Sequence, residues 1–399
     1  MSGKFASAFG FAAIAAATAS PAAAGNDHAV TLLEFDGATG YAPGAGIITD
    51  GQGNIFGDTT IGGTGPCSGG AGCGTIYELS PPASKHGSWT FTKLHDFQGG
   101  ADGEVPFDPL AQDQAGNLYG YAYGSPGTVF EVSPPARGRS AWTYNVIYTF
   151  TGGADGDLLN VQSPLLPVGG DLYGVASGGS EVCGQTGCGS VFRLTFNGSA
   201  WQQETLHAFT GGKDSGEPNW IAGPDASGAF YISTSLGNGA IVQLAPQSGA
   251  WHATVINAFK SGGSLELPAN LIVSPDGNVY GIASSNHGGV VFQLVRPESG
   301  SHWTRTVIAH VDHHGYGPTS LALRHDGSFI GAIEGDFDFY AGGIFQLTPS
   351  GGGWTYSELA NFNRGPDRNP LNAVDGFEGH IYGVFNGGDS SSGSLFKAH

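Results

Sequence analysis

Residues 117–123 read Asn-Leu-Tyr-Gly-Tyr-Ala-Tyr, a short strand-forming run with the aromatic-glycine pair Tyr119-Gly120 at its centre. This pair, or a variant of it, returns about every fifty residues along the chain. Its seven occurrences are Phe56-Gly57, Tyr119-Gly120, Tyr173-Gly174, Tyr231-Ile232, Tyr280-Gly281, Ile330-Gly331 and Tyr382-Gly383. A repeat of this length, built from short strands and glycine-rich turns, is typical of radial and solenoid folds.

A tryptophan runs in phase with the pair but occurs only six times, at Trp89, Trp142, Trp201, Trp251, Trp303 and Trp354. The last repeat ends at Phe396 without its tryptophan strand, and the N-terminal segment Val30–Asp36 matches the missing strand. Six whole units and one split unit predict an all-β fold. It is a seven-bladed β-propeller of four-stranded antiparallel blades, with the last blade closed by the N-terminal strand. We interpret the tryptophans and the aromatic-glycine pairs as packing residues between blades.

Each repeat is interpreted as four strands; in the second they are 110–112, 117–123, 128–132 and 142–150. Because consecutive antiparallel strands alternate in direction, the loops after the second and fourth strands share one face. These loops are long and variable, whereas the turns on the other face are mostly short and regular. Function tends to lie on variable loops carried by a rigid scaffold. We therefore expect any site on the face of the strand-two and strand-four loops, around the central channel.

The first 24 residues have the pattern of a signal peptide, with Lys4, an apolar stretch from Phe5 to Ala19, and Ala22-Ala23-Ala24 before Gly25. The expected organisation is a signal peptide over 1–24 and one propeller domain over 25–399. The expected location is the periplasm or the exterior of the cell. There is no second apolar span, so no membrane span is expected. The formal net charge of −19 disfavours nucleic acid and anionic membranes as partners.

The four cysteines form two local pairs, Cys67 with Cys73 and Cys183 with Cys188. The second cysteine of each pair precedes the same framework, as in Cys73-Gly74-Thr75-Ile76-Tyr77. Equivalent placement in two repeats, together with export, favours one disulfide within each loop. Zinc binding is the alternative, but no histidine lies at the usual ligand spacing from either pair.

The segments 172–174 and 187–194, Leu-Tyr-Gly and Gly-Cys-Gly-Ser-Val-Phe-Arg-Leu, together with Phe-Thr-Gly-Gly-Lys-Asp at 209–214, resemble the GloVer-type tandem repeats of exported bacterial proteins. The resemblance covers nearly the whole mature chain. It implies export and β-propeller repetition, and it implies no particular reaction.

The loop after the fourth strand repeats Gly-Gly-x-Asp, ending at Asp102, Asp155 and Asp214. These aspartates could form a ring of carboxylates for a cation or a sugar at the channel mouth. Equivalent repetition favours the alternative, an Asx-turn that stabilises each loop. A divalent cation such as calcium is a candidate ligand of the protein, although no EF-hand pattern is present.

The loops of the fifth and sixth repeats depart most from the regular pattern and supply the candidate catalytic residues. Histidine can bind a metal or transfer protons near neutral pH, and paired carboxylates can cleave a glycosidic bond. An exposed polar loop is the alternative in both cases. The candidates are His313, His314, Tyr316, Asp336 and Asp338, with Trp220, Glu334 and Tyr340 as substrate-binding residues. His325 is expected in a turn on the opposite face. Trp220 either stacks on a sugar ring or packs against the next blade.

These observations lead to three hypotheses about function. The first is an exported propeller that binds or cleaves a polysaccharide or oligosaccharide at its loop face, as a glycoside hydrolase or polysaccharide lyase if it is an enzyme. The second is a non-catalytic binding or scaffold propeller of the cell envelope, because one fold can support many functions. The third is a metal-dependent hydrolase of the lactonase type, which depends only on the histidine loop.

Overall fold

The computed structural model describes residues 29–84, 87–124, 127–137, 141–158, 161–178, 183, 187–259, 267–285, 288–311, 317–333, 335, 342–362, 369–386 and 392–398. These residues form seven antiparallel sheets arranged as the blades of a propeller, and six of the sheets are built from strands that follow one another in the chain. The predicted seven-bladed propeller of four-stranded blades is thereby confirmed. No helix in the described part of the chain is long and apolar enough to cross a membrane.

The strands follow the repeat in chain order. The N-terminal strand is β1 (Ala29–Glu34), and blade 1 contains β2 (Tyr41–Pro43), β3 (Ile48–Thr49), β4 (Ile55–Ile61), β5 (Thr75–Ser80) and β6 (Thr90–Asp96). Blade 2 contains β7 (Ala111–Gln112), β8 (Leu118–Ala122), β9 (Thr128–Ser133) and β10 (Thr143–Thr149). Blade 3 contains β11 (Leu166–Val168), β12 (Asp171–Ala176), β13 (Ser190–Phe196) and β14 (Trp201–Ala208).

The other four blades repeat this order. Blade 4 contains β15 (Pro218–Ala222), β16 (Phe230–Thr234), β17 (Ala240–Gln247) and β18 (Ala250–Ala258). Blade 5 contains β19 (Leu267–Val273), β20 (Val279–Ser285), β21 (Gly288–Val295) and β22 (Thr304–Val311). Blade 6 contains β23 (Ala322–Leu323), β24 (Phe329–Ile333), β25 (Gly343–Ser350) and β26 (Gly353–Asn361). Blade 7 contains β27 (Pro370–Asp375), β28 (Ile381–Phe385) and β29 (Ser394–Ala398).

The N-terminal strand closes the ring as predicted. Strand β1 pairs antiparallel with β29, so blade 7 has the order β1-β29-β28-β27. The pairing begins at Ala29 opposite Ala398 and ends at Glu34 opposite Ser394. Phe35, which follows β1, is buried and packs against Tyr77 of blade 1. The strand thus completes one blade and anchors the next, and it covers an edge that a linear array would expose.

Aromatic contacts join neighbouring blades. Trp142 at the start of the outer strand of blade 2 packs edge-on against Phe56 of blade 1, with ring centroids 5.8 Å apart. Trp89 meets Tyr382 in the same way, 6.0 Å apart, across the junction of blades 7 and 1. Trp303 meets Tyr231, and Trp354 meets Tyr280. In these four contacts the tryptophan packs on the aromatic member of the preceding blade's pair, as predicted for both markers. The ring contacts of Trp201 and Trp251 are with Phe196 and Phe230 of their own blades.

The glycine of each pair leaves space for a ring from the third strand. Gly120 lies opposite Phe130 in the β8-β9 pairing, and a Cβ on Gly120 would overlap the far end of that ring. The same pairing recurs in five other blades, as Gly57 with Tyr77, Gly174 with Phe192, Gly281 with Phe292, Gly331 with Phe345 and Gly383 with Phe396. The ring thus lies over the glycine and fills the space that a side chain at this position of the second strand would occupy.

Candidate functional site

The predicted catalytic loops lie outside the described residues. The affected positions are His313, His314, Tyr316, Glu334, Asp336, Asp338 and Tyr340. Their predicted roles stay predictions. The described residues that flank the two loops are adjacent, because Pro318 forms an antiparallel bridge with Ile333.

The loops after the second and fourth strands do share a face. In blade 1 the N–H of Val105, which follows the fourth strand, donates to the carbonyl of Cys73, which lies in the strand-two loop, at 2.8 Å. The equivalent bond in blade 3 runs from the N–H of Glu217 to the carbonyl of Cys188, also at 2.8 Å. His325 lies away from this face, in the turn between β23 and β24, where its Nδ1 is 3.0 Å from Asp375.

A cavity of about 680 Å³ occupies the central channel towards the loop face. All seven blades contribute to it through their innermost strands and the residues just before them. Among the described residues, its lining contains no aspartate, glutamate, lysine, arginine or histidine. The polar lining residues carry amides or hydroxyls: Gln162, Asn219, Ser235, Asn270, Ser284, Thr319, Ser320 and Asn372. The described part of the lining is therefore uncharged and mixed apolar and polar in character, and the cavity has the ordinary size of a ligand site.

Trp220 lines this cavity and is partly exposed. It lies in β15, and its indole N–H donates to the carbonyl of Leu271 in the next blade at 3.2 Å. Of the two alternatives for Trp220, the structure shows the packing against blade 5, and the side chain also borders the channel. A role in binding a substrate stays a prediction.

Most of the polar groups around the channel join one blade to the next. They form a series of hydrogen bonds between innermost strands: Ile221 N–H to Ser163 Oγ at 3.0 Å, Asn219 Nδ2 to the Pro268 carbonyl at 3.3 Å, Leu321 N–H to Asn270 Oδ1 at 3.2 Å, and Ala373 N–H to Ser320 Oγ at 3.2 Å. Gln162 differs from them. Its side chain is exposed and makes no hydrogen bond to another described residue, so its amide is available to a ligand.

The Gly-Gly-x-Asp aspartates stabilise their own loops. Asp102 accepts from the N–H of Gln98 at 2.8 Å, and Asp155 accepts from that of Thr151, also at 2.8 Å. Asp214 accepts from the N–H of Thr210 at 3.1 Å. These are the bonds of an Asx-type turn. Each carboxylate is occupied by its own loop, which favours the structural interpretation over a ring of ligands.

Two of these loops also include a histidine from the fourth strand. His95 Nε2 lies 3.1 Å from Asp102, and His207 Nε2 lies 3.2 Å from Asp214. Burial lowers the pKa of His95 and of His207, and the neighbouring carboxylate offsets only part of that effect. Both rings therefore favour the neutral form in the folded protein.

Both predicted disulfides are present, Cys67–Cys73 and Cys183–Cys188, each with a Cα–Cα distance of 4.9 Å. Each lies against the first glycine of the Gly-Gly-x-Asp loop in its blade, because a Cβ on Gly99 or Gly211 would collide with a cysteine sulfur. The Glu104 carboxylate also lies near Cys67 and Cys73. Since the two sulfurs are bonded to each other, this group is not a set of thiolate ligands.

A buried pair of carboxyl groups beside the channel was missed by the sequence analysis. Asp58 follows the aromatic-glycine pair of blade 1, and Asp108 precedes the innermost strand of blade 2; each is 1% exposed. Burial raises the pKa of both carboxyl groups well above the usual range, and the charge of Asp58 raises that of Asp108 further. A possible signal was Asp58 itself, which stands where the other repeats have Tyr121, Val175, Ser233, Ile282, Ala332 and Val384.

The fold and its channel define a class, the seven-bladed β-propeller with a central cavity. The chain belongs to the Gloeobacter/Verrucomicrobia repeat family, whose model matches residues 160–396, more than half of its length. Among curated proteins, none matches the sequence.

Solved structures resemble the chain at the level of the fold. A proposed 6-phosphogluconolactonase from Bacteroides uniformis is 15% identical, with a TM-score of 0.52 over 84% of this chain and 89% of that one. A puromycin-hydrolyzing peptidase from Mycobacterium tuberculosis is 13% identical, with a TM-score of 0.55 over 94% of this chain and 55% of that one. A gluconolactonase from Xanthomonas campestris is 14% identical, with a TM-score of 0.44 over 77% of this chain and 87% of that one. At these identities the likeness is one of fold alone.

Proposed function

We propose that the protein is an exported carbohydrate-binding β-propeller that takes a neutral oligosaccharide into the channel cavity from the loop face. The observation that carries the proposal is the lining of the cavity, which is uncharged over the described residues and includes Trp220 and Gln162, whose side-chain amide bonds to none of them. Sugar rings have apolar faces that pack on aromatic rings and hydroxyls that bond to amides, so this lining is complementary to them. The disulfides agree with export, since they persist in oxidising compartments.

Charge favours a neutral glycan over an acidic one. The chain carries a formal net charge of −19, and the described lining of the cavity has no cationic side chain that would offset this for a uronic acid. A polyanion would therefore be repelled at long range and would find no ion pair at the cavity. The same reasoning disfavours nucleic acid as a partner.

Cleavage of the glycan is a separate proposal that depends on the loops of blades 5 and 6. If Asp336 and Asp338 transfer protons at the channel mouth, the protein is a hydrolase rather than a binding module. If His313 or His314 does so together with Tyr316, proton abstraction in a lyase is the expected reaction. Replacing both histidines by alanine should then abolish turnover and leave the melting temperature nearly unchanged, because the sequence predicts a polar loop here and substitutions in such loops change stability little.

The test is a glycan array of neutral and uronic oligosaccharides, probed with the wild type and with Gln162→Ala. Gln202→Ala is the matched control, because Gln202 is an exposed glutamine on the outer strand β14. We expect neutral glycans to bind and Gln162→Ala alone to weaken them. Binding of uronic glycans only, or equal binding by both variants and the wild type, would contradict the proposal. Absence of any glycan ligand would favour the scaffold alternative, and hydrolysis of lactones would favour the lactonase alternative.

A further inference from the structure

We propose that Asp58 and Asp108, together with the carbonyl oxygen of Phe107, form a binding site for a calcium ion at the junction of blades 1 and 2. The site lies beside the channel and uses none of the residues assigned to the glycan. It is therefore independent of the proposed function.

The two carboxyl groups are buried without enough donors. Both carboxylate oxygens of Asp58 and the Oδ1 of Asp108 accept no hydrogen bond from any described residue. The N–H of Gly44 lies near Asp58 but donates to its backbone carbonyl, at 3.1 Å. An ionised carboxylate in a buried position is strongly destabilising unless a positive charge or hydrogen-bond donors compensate it. No described lysine, arginine or histidine forms an ion pair with either group.

The remaining oxygen of the two carboxylates, Asp108 Oδ2, lies near the hydroxyl of Tyr123, which has a single proton to donate. Its hydroxyl lies 2.9 Å from Asp108 Oδ2 and 2.6 Å from the carbonyl oxygen of Val161. One hydroxyl cannot donate to both acceptors at once. The shorter distance favours the Val161 carbonyl, which leaves Asp108 short of positive charge on both of its oxygens.

The oxygens of the two blades converge at Gly44. A Cβ on Gly44 would overlap Asp58 Oδ1 and would lie 3.0 Å from the carbonyl oxygen of Phe107. That carbonyl already accepts from the N–H of Ala45 at 2.7 Å and has a second lone pair. Phe107 directly precedes Asp108. Glycine at position 44 therefore leaves room for the Asp58 carboxylate itself, beside the carbonyl oxygen of Phe107.

The donor set selects the type of ion. All the candidate ligands are oxygen atoms, two of the groups are carboxylates, and no thiolate or imidazole takes part. Calcium prefers carboxylate and carbonyl oxygens in irregular geometry, whereas zinc prefers nitrogen and sulfur ligands. A divalent cation also balances the two negative charges of the ionised pair. Binding would join blade 1 to blade 2 next to the channel wall.

The experiment uses the full exported protein. Metal content after purification in calcium is measured by mass spectrometry, and calcium and terbium are then titrated into chelator-treated protein. Terbium luminescence excited through tyrosine reports proximity, since Tyr123 contacts Asp108. The variants are Asp58→Asn, Asp108→Asn and Gly44→Ala. The last keeps both carboxyl groups, but its added methyl group would push the Asp58 carboxylate out of position. Asp155→Asn is the control, because it removes a carboxylate from a loop of blade 2 that is far from the pair in the chain.

We expect about one calcium per chain in the wild type and the control, with a higher melting temperature in calcium. Each of the three site variants should bind at least about tenfold more weakly and lose the calcium-dependent rise. Circular dichroism at low temperature shows whether each variant is folded. Wild type that neither retains calcium nor is stabilised by it would overturn the site, as would equal calcium binding in folded Asp58→Asn. A melting temperature raised by Asp108→Asn, with no effect of calcium on the wild type, would show instead that the pair holds a proton.

Discussion

Ile232 lies directly opposite Val242 in blade 4, at the position where the other six blades place a glycine opposite an aromatic ring. Both side chains are fully buried. Two medium-sized aliphatic residues thus fill the volume that one large ring and a glycine fill elsewhere. The departure of blade 4 from the repeat is a compensated exchange, and the packing of the blade is retained.

The exchange predicts strong coupling between positions 232 and 242. Ile232→Gly should destabilise blade 4 by about 3 kcal/mol or more, because it leaves a cavity and a flexible strand residue. Val242→Phe alone should also destabilise it, by about 1–3 kcal/mol, through overpacking. In the double variant the ring can occupy the space that the isoleucine leaves, so its denaturant midpoint should lie above that of Ile232→Gly. If the loss of stability in the double variant equals the sum of the two single losses, the two side chains do not share one space.

Closure of the ring by β1 predicts a large effect of a short truncation. A chain that starts at residue 35 should expose the edge of β29 and aggregate or melt at a much lower temperature, since an unpaired edge strand recruits other chains. A chain that starts at residue 29 keeps β1 and is the control. Size-exclusion chromatography and thermal melting compare the two. A monomeric 35–399 chain with an unchanged melting temperature would argue against closure by this strand.

The neutral histidines of the Asx-turn loops predict that acid weakens the fold. Because burial lowers the pKa of His95 and His207 below their unfolded value of 6.5, the unfolded chain binds protons first as pH falls. Their contribution to stability is therefore complete above about pH 6.5 and declines below it. Between about pH 7.5 and pH 5, the melting temperature of the wild type should fall relative to that of the His95→Gln/His207→Gln variant.

The comparison with the His95→Gln/His207→Gln variant is needed because Asp58 and Asp108 change the pH dependence of stability in the opposite direction to the histidines. Their pKa values are raised, so in the absence of a bound cation they favour the fold as pH falls, equally in both proteins. Carboxylates with lowered pKa values, such as Asp155 and Asp214, lose their contribution only below about pH 4. Parallel pH profiles of the two proteins would refute the assignment to the histidines.

The disulfides should stabilise the loop face more than the ring. Replacing Cys67 and Cys73 by serine should lower the free energy of unfolding by about 2 kcal/mol, as expected for a closed loop this short. Hydrogen exchange should rise first around Gly99, which packs against Cys67, before the strands of blade 1 are affected. Protection lost equally in β4 and β5 would show that the bond supports the whole blade.

The architecture could be predicted from the sequence because each repeat of the sequence corresponds to one blade, with its marker residues at equivalent positions. Gly120 and Trp142 have one geometric role each, and the same role returns in most of the other blades. The missing outer strand of the last repeat predicted the pairing of β1 with β29 for the same reason. The local cysteine pairs could be assigned because both lie in equivalent loops.

The site was less predictable, since it depends on contacts between repeats. Gln162 and Trp220 both line the channel because the blades are arranged in a ring. No spacing along the chain indicates that these two residues share a cavity. The Asp58 and Asp108 pair was missed because its members lie fifty residues apart, in different blades and at non-equivalent positions. Asp58 departs from the residues that its repeat position usually holds, and that departure was the only local signal.

The most direct test of the glycan site is calorimetric titration of the best neutral oligosaccharide from the array into the wild type, Gln162→Ala, Trp220→Phe and the control Gln202→Ala. We predict saturable binding at one site per chain in the wild type and in the control. Binding should be weakened at least about tenfold in the two cavity variants, as expected when a well-packed contact is lost. Equal affinity in all four proteins, each shown to be folded, would contradict a glycan site at the channel mouth.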